Sequence, residues 1–287
     1  MPADLHTHTT FSDGGTDIEK LPFLAATAGL THLAITDHDT FKAWDWCSAH
    51  AGDMQGVTLI PAVEISCEDK QRRRRGHMLC YLPNKTPRLQ AFFDNMCALR
   101  NVACGKSLAR VQALYPAVTD DSICEYRTRS GTMFKVHIMR RLMECGYTDT
   151  VYGSLYHKLF NTKDGPCLVN PPYIDVYEAL DMIKEAGGVA VLAHASVYHS
   201  VELARQLCAE GAIDGVEINH PRNTADDKVQ LQALAEQYGL IVTGGTDYHG
   251  IHSAKPLPVG AFTAADEMVQ RIIALAQSRK AALQPNP

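Results

Sequence analysis

Short apolar runs recur along the chain and alternate with longer stretches in which apolar residues return every three or four positions. Unbroken apolar runs suit strands buried on both faces, and the longer repeat suits amphipathic helices, so the alternation predicts βα units feeding a parallel sheet. The expected strands are Ala3–His6, Leu33–Thr36, Thr58–Ile65, His77–Leu82, Val189–Ala193, Val216–Ile218 and Leu240–Thr243. Helices are expected over Ile18–Ala28, Val176–Glu185, Val201–Glu210 and Ala225–Gln237. Gly29, Gly187, Gly211 and Gly239 stand just past them, where a left-handed residue closes a helix. Seven strands at this spacing predict an α/β barrel of the TIM type, with some irregularity.

Between Leu82 and about Leu168 the strand rhythm lapses. Helical patterns take over, including Asn95–Leu114 and Phe134–Cys145, where Phe134, Ile138, Leu142 and Cys145 share one face. The expected organisation is a barrel domain over 1–83 and 168–287 with a mostly helical insertion over 84–167. From Asn95 to Gly165 the chain carries ten Lys/Arg and six Asp/Glu, a local charge of +4 within a total of −5. A basic cap over an acidic barrel suits an anionic substrate.

The composition is otherwise ordinary: 287 residues, 46% hydrophobic and 21% charged, which argues against a nucleic-acid coat protein or a membrane-surface binder. Nine cysteines are scattered singly without a C-x-x-C pair, as in a reducing compartment. No apolar stretch approaches the roughly 20 residues of a membrane span, and the start reads directly into Asp-Leu-His-Thr-His. The expectation is an unprocessed cytoplasmic protein with no membrane association and no obligate protein partner.

Several expected strands run out into His, Asp or Glu at their C-terminal ends, which core packing does not produce. The first delivers His6 and His8 with Asp13 close behind, the second Asp37 and His38, and the third Glu64. The fifth delivers His194, and the seventh Asp247 and His249. Catalytic groups of parallel barrels gather at that end, so residues spread over most of the chain can converge. His77 instead opens its strand, and the Arg-rich approach Gln71–Gly76 is read as a hairpin that reverses the strand and returns His77 to the same face. His-x-His on a strand aims both imidazoles to one side, and Asp247 with His249 repeats the spacing. Imidazole and carboxylate without thiolate suit Zn, Mn or Fe(II) rather than a structural Cys-rich site. Asp37 is expected to orient His38 from behind. Isolated histidines such as His32, His50 and His157 read as surface or packed residues.

Asp-Leu-His-Thr-His-Thr with Asp13, Ile35-Thr-Asp-His-Asp39, Glu64, His77-Met-Leu-Cys-Tyr81, His194 and Gly245-Thr-Asp-Tyr-His249 resemble, in order and spacing, the successive motifs of the PHP (polymerase and histidinol phosphatase) family within the amidohydrolase superfamily. The resemblance implies a distorted (β/α)7 barrel binding three divalent ions, manganese first, with zinc or Fe(II) as alternatives. By position, His6, His8, Glu64 and Asp247 would hold one ion. Glu64 would bridge to a second held by His77 and His194, and Asp13, His38 and His249 would hold a third. Asp13 stands where some relatives use histidine. The catalytic set is then His6, His8, Glu64 and Asp247, with Asp37 behind it and His199 or His220 as proton donor to the leaving oxygen.

The insertion bears on the substrate. Arg129, Ser130 and Lys135 lie before or at the start of the Phe134 helix, and a helix start with hydroxyls and cations is a ready phosphate site. Relatives open this helix with Arg-Pro-His, whereas Lys135-Val136-His137 stands here. Asn219 and His220 end the sixth strand within reach of a scissile phosphate or sugar. A second anion site beside the metals suits a small nucleotide with two phosphates, and the resemblance points to the nucleotide- and RNA-directed branch. The leading expectation is removal of the 3′-phosphate from nucleoside 3′,5′-bisphosphates. The alternatives are a 5′-3′ exonuclease on short RNA, a histidinol-phosphate phosphatase and an inert metal-stabilised module.

Overall fold

The computed structural model describes residues 2–50 and 53–283. The apolar runs form strands β1 (Ala3–Asp4), β2 (His32–Ile35), β4 (Val57–Asp69), β5 (Arg74–Tyr81), β7 (Val189–Leu192), β8 (Gly215–Asn219) and β9 (Ile241–Gly244). Two short strands, β3 (Asp53–Met54) and β6 (Ile174–Asp175), flank β4. The main sheet runs β1-β2-β4-β5-β7-β8-β9. All neighbours on this path are parallel except β5, which is antiparallel to β4 and β7. The reversal follows from the turn between β4 and β5, where Arg73 has a left-handed φ of 52°. It carries the first residues of β5 to the end where the parallel strands finish.

The two edges of the sheet meet. The Leu5 N–H donates to Gly244 O at 3.1 Å and the His8 N–H to Tyr248 O at 2.8 Å, so the barrel is nearly closed. Gly245 permits the seam: a Cβ there would lie 2.4 Å from the backbone nitrogen of His6.

Alternation along the strands sorts the core. Leu5, Ala62, Leu79, Tyr81, Val189 and Val191 pack together with Val269, Ile272 and Ala276 of the last helix, which plugs one end of the barrel. Val63, Ile65, Met78, Cys80, Ala190 and Leu192 point the other way, into an outer layer with the surrounding helices. On this two-residue period, Glu64 of β4, Arg75 and His77 of β5, and Glu217 of β8 fall on the inner face.

Helices α1 (Leu21–Thr27), α2 (Lys42–Ala49), α3 (Pro87–Leu114), α4 (Asp120–Cys124), α5 (Lys135–Glu144), α6 (Ser154–Phe160), α7 (Val176–Glu185), α8 (Val201–Ala209), α9 (Ala225–Tyr238) and α10 (Asp266–Leu283) complete the chain. Gly29, Gly187, Gly211 and Gly239 all adopt the left-handed conformation. The first helix begins at Leu21, after a short 3-10 turn over Ile18–Lys20, and α3 begins eight residues before the pattern placed it. Pro87 opens α3 and the Thr86 hydroxyl caps it by accepting from the Leu89 N–H at 3.3 Å. Leu89, Phe92, Phe93 and Met96 of α3 pack into the outer layer of the barrel. Its second half (Cys104, Leu108, Val111) shares a separate core with Ile138, Met139 and Leu142 of α5 and Phe160 of α6. One continuous helix thus fixes the helical cap to the barrel. No helix among the described residues is long and apolar enough to cross a membrane.

Candidate metal centre and substrate cavity

The strand ends deliver their polar side chains to one buried cluster. Nε2 of His6 and Nε2 of His8 each lie 3.2 Å from Glu64 Oε2, and 3.5 and 3.2 Å from Asp247 Oδ1. Donors about 2.1 Å from one cation, at octahedral or tetrahedral angles, stand roughly 3.0–3.4 Å apart. On the other side of Glu64, Oε1 receives His77 Nδ1 at 2.7 Å and His194 Nε2 at 2.9 Å. His38 Nδ1 lies 3.3 Å from Oε2. A third group joins His249 Nε2 to Asp13 Oδ1 at 3.3 Å and His38 Nε2 to Asp13 Oδ2 at 3.8 Å, with His8 adjoining.

The residues present fit divalent cations. Nε2 of His6, both nitrogens of His8, Nδ1 of His38 and Nδ1 of His194 are buried without a hydrogen-bond partner, which neutral imidazoles in a finished core would not be. Two tautomers are fixed by outer partners. His6 Nδ1–H donates to Glu217 Oε1 at 2.9 Å and His249 Nδ1–H to the Asp247 carbonyl at 2.8 Å, leaving Nε2 of each as a lone pair facing the carboxylates. Burial alone would raise the carboxyl groups of Asp13, Glu64 and Asp247. The surrounding histidines outweigh it and hold all three well below the usual range. Burial likewise pulls His8 down, but Asp247, Glu64 and Asp13 together push its pKa up to about 10. The cluster is an anionic hole that protons or cations must compensate. Left-handed φ values at His194 (24°) and Asp247 (51°) mark backbone strain at two of these positions.

Beside the cluster opens a cavity lined by Asp13, His38 and His77 on the barrel side and by Arg75, Arg100, Lys135, Phe134, Tyr152, Tyr156, Tyr173 and Tyr198 around it. Lys135 Nζ donates to Asn170 Oδ1 at 2.8 Å, and burial, helped by Arg75, pushes its pKa down to about 8. The Arg75 guanidinium lies 4.8 Å from the Tyr173 ring centre. Arg100 is committed to Asp39 and to Ser66 Oγ.

Other expected residues lie elsewhere. Arg129 does not line the cavity; its guanidinium is paired with Asp17 and Glu19 of the barrel. Ser130 is buried and bonded within its own loop to Arg127 O and Thr132 O. Asn219 turns away and donates to Thr263 O, and His199 is exposed outside the cavity, in a left-handed turn after β7. Asp37 has no contact with His38: its carboxylate accepts from the Thr9 N–H, the Thr9 hydroxyl and the Ser12 hydroxyl, and so shapes the loop that carries Asp13. His220 is at the centre, with Nε2 3.3 Å from Asp247 Oδ2. Sequence reasoning missed Glu217 and Arg222, which donates to the same Asp247 oxygen at 3.0 Å. It also missed the tyrosines, and read Arg75 only as part of the Arg-rich hairpin Gln71–Gly76. The strand period places Arg75 on the face of His77, and a lone carboxylate inside Gly-Val-Glu-Ile-Asn marks Glu217.

An imidazole–carboxylate centre at the C-terminal mouth of an α/β barrel defines a metal-dependent hydrolase. The PHP domain family matches residues 4–139. Over 251 residues the chain is 33% identical to the phosphoribosyl 1,2-cyclic phosphate 1,2-diphosphodiesterase of Eggerthella lenta, covering 87% of this chain and 95% of that one. It is 30% identical to the 5′-3′ exoribonuclease Rnm of Escherichia coli, covering 86% and 84%. It is 24% identical to the 3′,5′-nucleoside bisphosphate phosphatase of Chromobacterium violaceum, covering 86% of each. The crystal structure of a protein described as a metal-dependent phosphoesterase from Bifidobacterium adolescentis superposes with a TM-score of 0.86 at 28% identity, covering 95% and 96%. The chain belongs to the PHP family and is a metal-dependent phosphoesterase.

Proposed function

We propose that the protein hydrolyses the 3′-phosphate of nucleoside 3′,5′-bisphosphates in a manganese-loaded centre. The observation that carries this reading is the cavity beside the metal cluster, where Arg75 and Lys135 stand among four tyrosines. Cations suit a second phosphate that is held but not cleaved, and tyrosine faces suit a base. In this reading His6, His8, Glu64 and Asp247 hold one ion, Glu64, His77 and His194 a second, and Asp13, His38 and His249 a third. When bound, the ions supply an acidified water and positive charge for the phosphoryl oxygens.

The rest is the work of the chain. Glu217 keeps the His6 proton on Nδ1, and the Asp247 carbonyl does the same for His249. Arg75 and Lys135 orient the nucleotide so that the scissile phosphate alone reaches the centre. The Arg222 main-chain N–H donates to His220 Nδ1 at 3.1 Å, so His220 keeps its proton on Nε2 and can offer it as a hydrogen bond to the departing oxygen. The same cations would also hold a phosphorylated ribose that lacks a base. The Eggerthella relative therefore supports a second reading, opening of a cyclic phosphate on a phosphorylated ribose.

The test is phosphate release by Mn²⁺-loaded protein from a 3′,5′-bisphosphate and from the matching 3′-monophosphate. The bisphosphate should be much the faster, and equal rates would discard the second phosphate site. A ribose 1,2-cyclic phosphate 5-phosphate and a 5′-phosphorylated oligonucleotide, assayed in parallel, separate the neighbouring activities.

A further inference from the structure

Arg222 occupies an unusual position for an exposed arginine. Its side chain is 57% exposed, yet Nη2 bonds Oδ2 of Asp247, whose other oxygen faces His8 Nε2 at 3.2 Å and His6 Nε2 at 3.5 Å. Only the width of a carboxylate separates the guanidinium from the donors of the metal cluster. The loop that carries it is fixed from below. Its own N–H binds His220 Nδ1, and the next residue, Asn223, donates to Glu217 O at 2.9 Å and accepts from the Ser196 N–H at 3.2 Å. The backbone is anchored while the fork of donors faces open space.

Arg100 is committed to Asp39 and Ser66 and Arg129 to Asp17 and Glu19, while Arg75 and Lys135 line the cavity beside the centre. Among the described residues the Arg222 side chain has one partner, using one of its five N–H groups. An exposed pair of this kind contributes little stability, which does not account for a braced arginine on a metal-ligand carboxylate.

We propose that Arg222 is a substrate-binding residue whose guanidinium grips the non-bridging oxygens of the phosphoryl group being cleaved, while Arg75 and Lys135 hold the second phosphate. A planar guanidinium matches two phosphoryl oxygens at once, and holding Asp247 aims it beside the ions without consuming the fork. The division of labour rests on the two-phosphate reading of the cavity; the contact with the cleaved group does not.

The experiment uses full-length, Mn²⁺-loaded protein with inorganic phosphate as probe, measuring its binding by calorimetry and its inhibition of p-nitrophenyl phosphate hydrolysis. Charge-assisted hydrogen bonds are worth about 1.5–3 kcal/mol, so Arg222→Met should weaken phosphate binding by about 10- to 100-fold. It should lower kcat/KM for p-nitrophenyl phosphate and the bisphosphate by the same factor. Metal content by mass spectrometry should stay at the wild-type level, and Arg222→Lys should recover part of the loss. Unchanged phosphate binding would overturn the proposal. So would loss of metal from Arg222→Met, which would make the residue a brace for Asp247. Wild-type protein that cleaves p-nitrophenyl phosphate but not the bisphosphate would sink the nucleotide reading and leave Arg222 standing.

Discussion

Replacing Glu217 by glutamine tests whether the buried carboxylate behind His6 tunes the metal centre. Glu217 is fully buried, and each of its oxygens accepts one hydrogen bond: Oε1 from His6 Nδ1–H at 2.9 Å, Oε2 from the His194 N–H at 2.9 Å. Burial would raise its pKa, but His6, His220 and His194 outweigh that and keep it ionised. A glutamine has the same shape and one oxygen fewer, so its NH₂ must oppose one of these two donors. Facing the His194 N–H, it leaves a buried backbone donor unsatisfied at about 1–3 kcal/mol. Facing His6, it drives the imidazole proton to Nε2 and occupies the lone pair that points at Glu64 and Asp247. Either route should lower cation affinity by about 10- to 100-fold, equal to roughly 1.4–2.7 kcal/mol. Manganese titration of metal-stripped protein by calorimetry reads this directly, and excess Mn²⁺ should restore much of the activity of Glu217→Gln. Wild-type affinity in the variant would refute the argument that the Glu217 bond sets the His6 tautomer.

Three further outcomes follow from the same structure. Lys135 has its pKa pushed down to about 8, so its charge, and with it kcat/KM for a two-phosphate substrate, should be held below pH 8 and fall above it. Lys135→Met should remove that alkaline limb and raise KM about tenfold or more, with little effect on p-nitrophenyl phosphate. His137 is buried, and burial, together with His252 and Arg140, pushes its pKa from 6.5 to about 3. The folded state therefore refuses a proton that the unfolded chain takes up. Stability is full above about pH 6.5 and lost as pH falls toward 3. The loss from this group should be about 2 kcal/mol by pH 5, read by urea unfolding, and His137→Leu should flatten it. Gly245→Ala places a methyl 2.4 Å from His6 N at the barrel seam and should cost more than about 3 kcal/mol in the same assay; a cost under 1 kcal/mol would mean the seam yields.

The legible part of this protein lies where local chemistry breaks a local pattern. His6, His8, Asp247 and His249 were readable because apolar strands ended in imidazoles and carboxylates at alternating positions, and the reversal of β5 because the Arg-rich segment Gln71–Gly76 read as a hairpin. Gly29, Gly187, Gly211 and Gly239 marked helix ends by their conformational freedom alone. What was misread depends on partners distant in sequence. Arg129 looked like a phosphate ligand at a helix start, but Asp17 and Glu19, about 110 positions earlier, take its charge. Asp37 looked like a support for His38, but a chain turn brings Thr9 and Ser12 to it first. No pattern within a segment reports either pairing.

Arg75 and Glu217 belong to a third kind, present in the sequence but hidden by the wrong question. Four consecutive arginines read together as a hairpin approach, yet a two-residue period splits them. Arg75 shares the inward face of His77, while Arg72 pairs with Asp69 and Gln206 and Arg74 with His199 O. The same period puts Glu217 inside the barrel, because Val216 and Ile218 on either side pack into the outer layer. A carboxylate in that position must have a cation or a donor to meet, since an unpaired charge in a barrel interior costs several kcal/mol. His6 Nδ1 is the donor it meets, so the inner face of the barrel holds the imidazole cluster from below as well as flooring it. That reading ties the fold to the chemistry. Shifting the register of β8 by one residue would withdraw Glu217 from His6, and would move Asn223 and Arg222 off the loop contacts that hold them.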